Sequence, residues 1–413
     1  MEQHELVPHL FRSEFTKIVS VLCKLFGLEH MEVAEDIASE TFLSALETWT
    51  YKGIPENPVA WLYAVAKNKA RNQITRKQLF SKKIAPALQH SASSISEVEI
   101  DLSEKNITDS QLQMLFAICH PVISSESQIG LALRILCGFG IEEIANAFLT
   151  TKETINKRLY RAKEKLQSEK INIEFPSARE IGIRLEAVLT VLYLLFNEGY
   201  YSESSDAVLR EDLCMEAMRL THLLAENKQT NLPPVNALLS LMCFHASRFE
   251  ARRDESGEII LYDDQDENRW NRELISRGIY YLNKSSKGNV ISSYHLEASI
   301  AYWHTIKEDT KEKWENILQL YNRLLQLSYS PIAALNRTFA LSKANSKEEA
   351  IHEAEKLQMK DNHYYYTLLG ELYKEIDAEK SKVNFMSALQ FAKTNSDKKM
   401  IRKKLEALNH LYK

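Results

Sequence analysis

Residues 140 to 166 read GIEEIANAFLTTKETINKRLYRAKEKL, and their apolar spacing is helical twice over. A short helix from Ile141 gives way to a turn near Leu149-Thr150, after which a longer helix begins. Thr150, with Glu153 three residues on, has the form of a capping box that satisfies orphan amides at a helix start. Ile155, Leu159, Ala162 and Leu166 then recur as one inward stripe. Thr154, Lys157, Arg158, Arg161 and Lys165 share the outward side, with Thr151 at their head. This is the grammar of a helix-turn-helix. The first turns of such a second helix can reach base edges in the major groove while its later cations reach phosphates. A basic, merely solvated helix is the plain alternative.

Upstream the same period continues. From Ala34, the residues Ile37, Ala38, Thr41, Phe42, Ala45, Leu46 and Trp49 form a stripe expected to be buried, with Asp36, Glu40, Leu43 and Glu47 on the opposite side. That acidic face with an apolar residue in its middle is either solvated or a docking surface for a basic partner. After a loop at Gly53-Ile54-Pro55-Glu56-Asn57-Pro58, a further helix is expected to bury Leu62, Ala66, Ala70 and Ile74. It presents Trp61, Ala64, Asn68, Arg71, Asn72 and Thr75, with Lys67 beside them. An aromatic among cations and amides suits the edge of melted DNA, where an unpaired base can stack and phosphates need countercharge. Trp61 also fits ordinary packing.

The 413-residue chain carries a net charge of −4, and its length implies several domains. Only 11 glycines and 9 prolines punctuate it, so long helices are expected. The near-neutral total hides local asymmetry. Residues 61 to 83 hold seven basic side chains and no acidic one, residues 29 to 47 hold six carboxylates and no Lys or Arg, and residues 152 to 170 hold seven cations against three Glu. Basic helices flanking an acidic one point to a nucleic-acid reader that also docks a protein. Five scattered cysteines exclude a disulfide scaffold and suit a reducing cytoplasm. No apolar run reaches membrane-spanning length and no export signal opens the chain, so no membrane partner is expected.

The sequence divides into a first domain over 1–80, a Ser-rich then acidic linker over 81–109, the helix-turn-helix domain over 110–172 and a long helical region over 173–413. The last is interrupted by Pro233-Pro234 and by a short hairpin expected at Asp254 to Asp264. Tyr366, Leu369, Gly370 and Tyr373 fit the first helix of a tetratricopeptide unit, with Phe385 and Ala388 following. Ile332, Leu335, Asn336 and Phe339 repeat that pattern weakly about 34 residues upstream. Stacked helix pairs of this kind present a groove for a peptide or for another part of the chain, or serve only as scaffold.

Catalytic and metal motifs are missing from the sequence. Cys119-His120 and Cys243-x-His245 belong to no four-ligand set, and Asp263-Asp264-Gln265-Asp266-Glu267 lacks the glycine and final Glu of a calcium loop, so it is better read as an acidic turn capping the next helix. Gly138-x-Gly140 lacks the strand and third glycine of a dinucleotide loop. No P-loop, HExxH or GxSxG occurs. Neither an enzyme nor a cofactor-dependent protein is expected.

AEDIASETFLSALETW followed by NPVAWLYAVAKNKARNQITR resembles region 2 of sigma-70 transcription initiation factors of the extracytoplasmic-function group, and residues 140 to 166 resemble region 4. DSQLQMLFAICHP, LYLLFNEGYYSESS, DLCMEAMRL and LYDDQDENRWNRELI extend the likeness to the subgroup with a long helical-repeat carboxyl extension. The resemblance implies an all-α protein. It implies that Asp36, Glu40, Leu43 and Glu47 face the clamp helices of the RNA polymerase beta-prime subunit, and that region 4 contacts the beta flap. Trp61, Lys67, Asn68, Arg71, Asn72 and Thr75 would meet the minus-ten element, the loop from Thr50 to Asn57 would hold its flipped base, and Thr151, Thr154, Lys157, Arg158, Arg161 and Lys165 would meet the minus-thirty-five element. The expected function is promoter recruitment of core polymerase, with the repeat region as an internal control or partner-binding module. A dimeric helix-turn-helix activator and a repeat-based adaptor are the rivals.

Overall fold

A computed structural model describes residues 3–84, 100–148, 150–201, 207–252, 260, 262–392 and 394–411. Among them every regular element is helical, as the spacing predicts. The chain forms two compact units, Met1–Leu195 and Phe196–Lys413.

In the first unit, α1 (Gln3–Phe26) lies centrally and packs on α2 (Met31–Lys52), α3 (Pro58–Ile84) and α4 (Glu104–Ile118). Its Ile18, Leu22 and Cys23 are fully buried. Leu62, Ala66 and Ala70 of α3 are buried as expected, and the two alanines let the helix lie close to its neighbours. Ile74, expected inside, is only half-buried, because the stripe runs out where α3 passes the edge of the core. Leu46 departs further, being 49% exposed. At 100° per residue it sits roughly 90° from the centre of the α2 stripe, on its rim rather than within it. The Trp49 indole fills the inner end of α2 and meets the Trp61 ring edge-on at 5.3 Å. Helix α2 ends at Gly53, whose φ of +81° an L side chain would resist and whose N–H bonds the Trp49 carbonyl at 3.0 Å. The loop is thus shorter than the expected Thr50–Asn57 stretch, because Thr50 to Lys52 remain helical.

Helices α5 (Ser125–Leu131), α6 (Ile141–Ala147) and α7 (Lys152–Ser168) complete this unit, with a π-helical turn at Ala132–Leu136 and the start of α8 (Ala178–Tyr201). The two segments expected as separate domains touch within it. Glu35 of α2 accepts an ion pair from Arg134 Nε at 3.2 Å and from Lys163 Nζ of α7 at 3.5 Å. Gln167 Nε2 donates to the Leu28 carbonyl at 3.4 Å, and Lys24 Nζ to Asn106 Oδ1 at 3.2 Å. Of the expected linker, residues 85–99 lie outside the described residues. Residues from Glu104 are already helix, begun by Ser103, whose side chain accepts from the Asn106 amide.

The second unit contains α9 (Ala207–Glu226), α10 (Pro233–Ala246), α11 (Arg272–Ser285), α12 (Ser293–Trp303), α13 (Lys311–Leu327), α14 (Pro331–Ala344), α15 (Lys347–Leu357), α16 (His363–Tyr373), α17 (Ala378–Phe391) and α18 (Asn395–Leu411). Pro233-Pro234 starts α10 at positions where a missing N–H costs nothing. From α12 onward each helix packs on the next, and one apolar cluster runs from Leu296 to Tyr373. Gly370 lets α16 and α17 close together: a Cβ there would stand 2.8 Å from the Phe385 ring. Leu335 is buried like its counterpart Leu369, but Ile332 and Phe339 are 46% and 38% exposed, so the weaker upstream pattern holds on only one face.

The expected hairpin falls mostly on residues outside those described; its end, Tyr262–Asp264, is a 3-10 turn. The acidic turn does not cap α11 either. Asn271 does, its side chain accepting from the Leu274 amide at 3.0 Å, while Asp266 caps only the short 3-10 turn before it. The backbone of this acidic segment serves another purpose, since Lys307 Nζ donates to the carbonyls of Tyr262, Asp263 and Gln265 at 2.9, 2.9 and 3.0 Å. A side-chain ammonium, fixed in place, occupies the carbonyl cage.

Candidate nucleic-acid and polymerase interfaces

Helix α7 is set by its cap and its stripe. Thr151, not Thr150, is the N-cap: its Oγ1 accepts from the Thr154 amide at 3.2 Å. Thr150 is instead drawn back into the turn, its amide donating to the Ala145 carbonyl at 2.9 Å. The one-residue shift pairs Thr151 with Thr154, hydroxyl to hydroxyl at 3.0 Å. It also holds the exposed Glu153 carboxyl below its ordinary range, through backbone and then Thr151 hydrogen bonding. Ile155, Leu159, Ala162 and Leu166 are all buried.

With that stripe sealed, the opposite side is open. Thr151, Thr154, Lys157, Arg161 and Lys165 are exposed and Arg158 is half-buried. Thr154, Lys157, Arg158, Arg161 and Lys165 line one groove of about 560 Å³, whose other wall includes Val122, Ile123, Ser124 and Ser127. Arg158 stands 5.5 Å from the Phe148 ring and 3.9 Å from Glu126, and Lys165 pairs with Glu169 at 3.5 Å. Lys157 and Arg161 form no ion pair among the described residues. Their charge is directed at solvent, the arrangement a polyanion can neutralise with release of its counterions.

On α3, Asn68, Arg71, Asn72 and Thr75 are exposed, while Trp61 and Lys67 are half-buried. Thr75 donates to the Arg71 carbonyl at 2.9 Å, an ordinary helical back-bond, and the Arg71 side chain forms no ion pair among the described residues. Trp61 serves packing through Trp49 yet keeps part of its ring open, so the two readings of this residue are compatible. Tyr63, one turn from the open face, donates to Glu14 Oε2 at 2.5 Å and ties α3 to α1. Burial, reinforced by Glu14, pushes the Tyr63 phenol above its ordinary range.

The acidic face of α2 is open as well. Asp36, Glu40, Leu43 and Glu47 are all exposed, Leu43 at 56%. Glu40 pairs with Lys69 at 3.1 Å, a surface contact worth about 0–1 kcal/mol that a stronger partner can displace. Sequence reasoning missed Leu46 and Tyr51, which at 49% and 89% exposure enlarge the apolar part of this face. The signal was available for Leu46, whose phase lies between the stripe and Leu43. It also missed Glu35, whose two cationic partners come from segments 99 and 128 residues away, a pairing no local pattern reveals.

Cys119 and Cys243 are buried thiols pushed up by desolvation, Cys243 to about 12, and burial holds His245 well below its ordinary value. Among the described residues no three potential metal ligands converge, and no helix is long and apolar enough to cross a membrane.

Residues 10–80, which carry both the acidic and the α3 faces, match the family model for sigma-70 region 2. The chain is also 32% identical over 387 residues to an uncharacterized protein of Rhizobium meliloti (strain 1021), covering 92% of this chain and 90% of that one. The chain belongs to that protein's family, and its amino-terminal segment is a sigma-70 region 2. A region 2 of this kind points to a sigma-factor role in transcription initiation. Residues 184–286 match a family of unknown function (DUF6596), which spans α8 to α11. No solved structure matches.

Proposed function

We propose that the protein is a sigma factor of the extracytoplasmic-function type that acts in the cytoplasm. In this reading residues 1–80 act as region 2, 81–109 as the linker, 110–172 as region 4 and 173–413 as a tetratricopeptide-like regulatory or partner-binding module. Asp36, Glu40, Leu43 and Glu47 dock on the beta-prime clamp helices. The α3 face engages the minus-ten element, and the α7 face the minus-thirty-five element while region 4 meets the beta flap. The observation that carries the reading is that a sigma-70 region 2 shares one compact unit with a capped helix-turn-helix, and that all three candidate faces stay open to solvent. The work is done by binding energy. Two weak DNA contacts held on one polymerase gain avidity, so neither need bind free promoter strongly.

The test is in vitro transcription with purified core enzyme. The double variant Asp36→Lys/Glu40→Lys should lose transcription at least 100-fold while keeping its helicity and melting temperature. A dimeric activator would keep its promoter affinity under that charge reversal and would bind promoter equally well without polymerase.

A further inference from the structure

In the carboxyl-terminal unit four cations gather on two tyrosine rings. The Arg252 guanidinium lies 3.9 Å from the Tyr200 ring, and Arg248 lies 5.5 Å from the Tyr262 ring. Lys307 and Lys313 stand 5.2 and 5.3 Å from the same Tyr262 ring. None of the four forms an ion pair with a carboxylate among the described residues. Asp309 is already engaged, by Lys343 at 2.9 Å and by the Trp314 indole.

The two lysines have spent their protons on the frame. Lys307 holds three carbonyls of the Tyr262 turn, and Lys313, 1% exposed, donates to the Ile306 carbonyl at 2.7 Å and to the Tyr262 hydroxyl at 3.2 Å. Lys307 has all three N–H bonds engaged and Lys313 two of three, so they contribute mainly positive potential. Unmet groups remain beside them. Among the described residues Arg248 Nε and Trp270 Nε1 have no acceptor and Gln265 Oε1 has no donor, in residues 8%, 2% and 7% exposed. All three touch the Tyr262 turn: Arg248 over its ring, Trp270 stacked at 6.1 Å, and Gln265 through its amide to the Tyr262 carbonyl at 3.3 Å. Buried donors left unmade are costly, and native folds rarely keep two together. Burial first, and then the charges of Arg248 and Lys313, drive the neighbouring His304 down to about 3. Tyr262, Arg252 and Lys307 stay half-exposed, giving the cluster a wet side.

We propose that this cluster binds a small oxyanion, a carboxylate or phosphate that also bears a hydroxyl hydrogen. The oxyanion accepts from Arg248 Nε and Trp270 Nε1, the hydroxyl donates to Gln265 Oε1, and Arg252 meets the ligand at the rim. Charge-assisted bonds of this kind are the strong ones. Arg248, Arg252, Tyr262, Gln265 and Trp270 all fall in the segment matching the family of unknown function, which thereby acquires a chemical task. The proposal goes beyond the transcription reading and does not depend on it.

The experiment is thermal denaturation of the full chain titrated with lactate or glycerol phosphate, with sodium chloride at matched ionic strength. One probe should raise Tm with concentration as a folded-state ligand must, and the arm that responds identifies carboxylate or phosphate. Arg248→Gln should abolish the rise. Should that variant not fold, Arg252→Gln, altered at the half-exposed rim, should weaken binding at least 10-fold, read as the ligand-induced rise above that variant's own basal Tm. Trp270→Phe should remove any accompanying change in indole fluorescence. No rise above chloride with either probe at 10 mM, or equal binding by the Arg252 and Trp270 variants, overturns the proposal.

Discussion

The two units spend their cations in opposite ways. In the first, Lys157 and Arg161 of α7 and Arg71 of α3 point to solvent from helices whose other sides are sealed by Ile155, Leu159, Leu62 and Ala66. In the second, Arg248 and Lys313 are sunk among Tyr262, Trp270 and Trp314, where water screens them less. Charge held in water acts on large partners through long-range attraction that salt weakens, whereas charge held inside acts at short range and resists salt. The contrast matches the two proposals: open cations suit an extended polyanion in the first unit, and enclosed ones suit a small oxyanion in the second.

The contrast breaks most readily at α7. Arg158→Glu/Arg161→Glu should lower promoter affinity of the holoenzyme on the order of 100-fold, since each direct contact is worth about 1–3 kcal/mol. The logarithmic salt slope should fall by about 2, from two lost phosphate or base-edge neutralisations. Melting temperature should move little, because Arg161 is exposed and the Arg158 contact to Glu126 at 3.9 Å is a weak surface one. A gel-shift salt series that left affinity and slope unchanged would remove α7 from the DNA interface.

Much of the first unit was legible in the sequence and much of the second was not, for a physical reason. Amphipathic surface helices write their burial into a 3.6-residue period, so Ile155, Leu159, Ala162 and Leu166 could be named without coordinates. Helix α10 is buried on nearly every side and carries no such phase, and the Tyr262 cluster is assembled from residues 200 to 313 by tertiary packing. Glu35 belongs with these, since its partners lie far along the chain. The cap at Thr151 was missed by one position because two adjacent threonines satisfy the same local rule, and only the turn hydrogen bond of Thr150 separates them.

The second unit can be broken at a close approach. Gly370→Ala should push a methyl into the Phe385 ring and destabilise the α16–α17 pair by about 1–3 kcal/mol, as overpacking does. Urea unfolding monitored by far-ultraviolet circular dichroism would measure it, and Phe385→Leu in the same chain should recover part of the loss. A Gly370→Ala variant as stable as the parent would mean that the two helices are not held together this tightly.

A half-buried histidine sharpens the comparison through pH. His304 has a folded pKa of about 3 against about 6.5 unfolded, so between those values the unfolded chain binds the extra proton. Its contribution is therefore fully present above pH 6.5 and lost as pH falls toward 3, at most about 1.4 kcal/mol per pH unit from this residue. Replacing it by Gln should flatten that slope in acid-unfolding curves.

The smallest expected effect tests the cap. Thr151→Ala removes the oxygen that accepts the Thr154 amide and should cost about 1 kcal/mol, whereas Thr150→Ala should cost only a few tenths because that side chain caps nothing. Thr151 also stands at the head of the outward face, so stability and DNA binding must be read apart. Thr151→Ser keeps the acceptor and should restore stability, and any deficit in promoter affinity that survives the serine belongs to the lost methyl at the DNA. If the alanine costs fell on Thr150 instead, the helix would start one residue earlier. Thr154, Lys157, Arg158 and Arg161 would still share a face, since the stripe of Ile155, Leu159, Ala162 and Leu166 fixes their direction whatever residue caps the first turn.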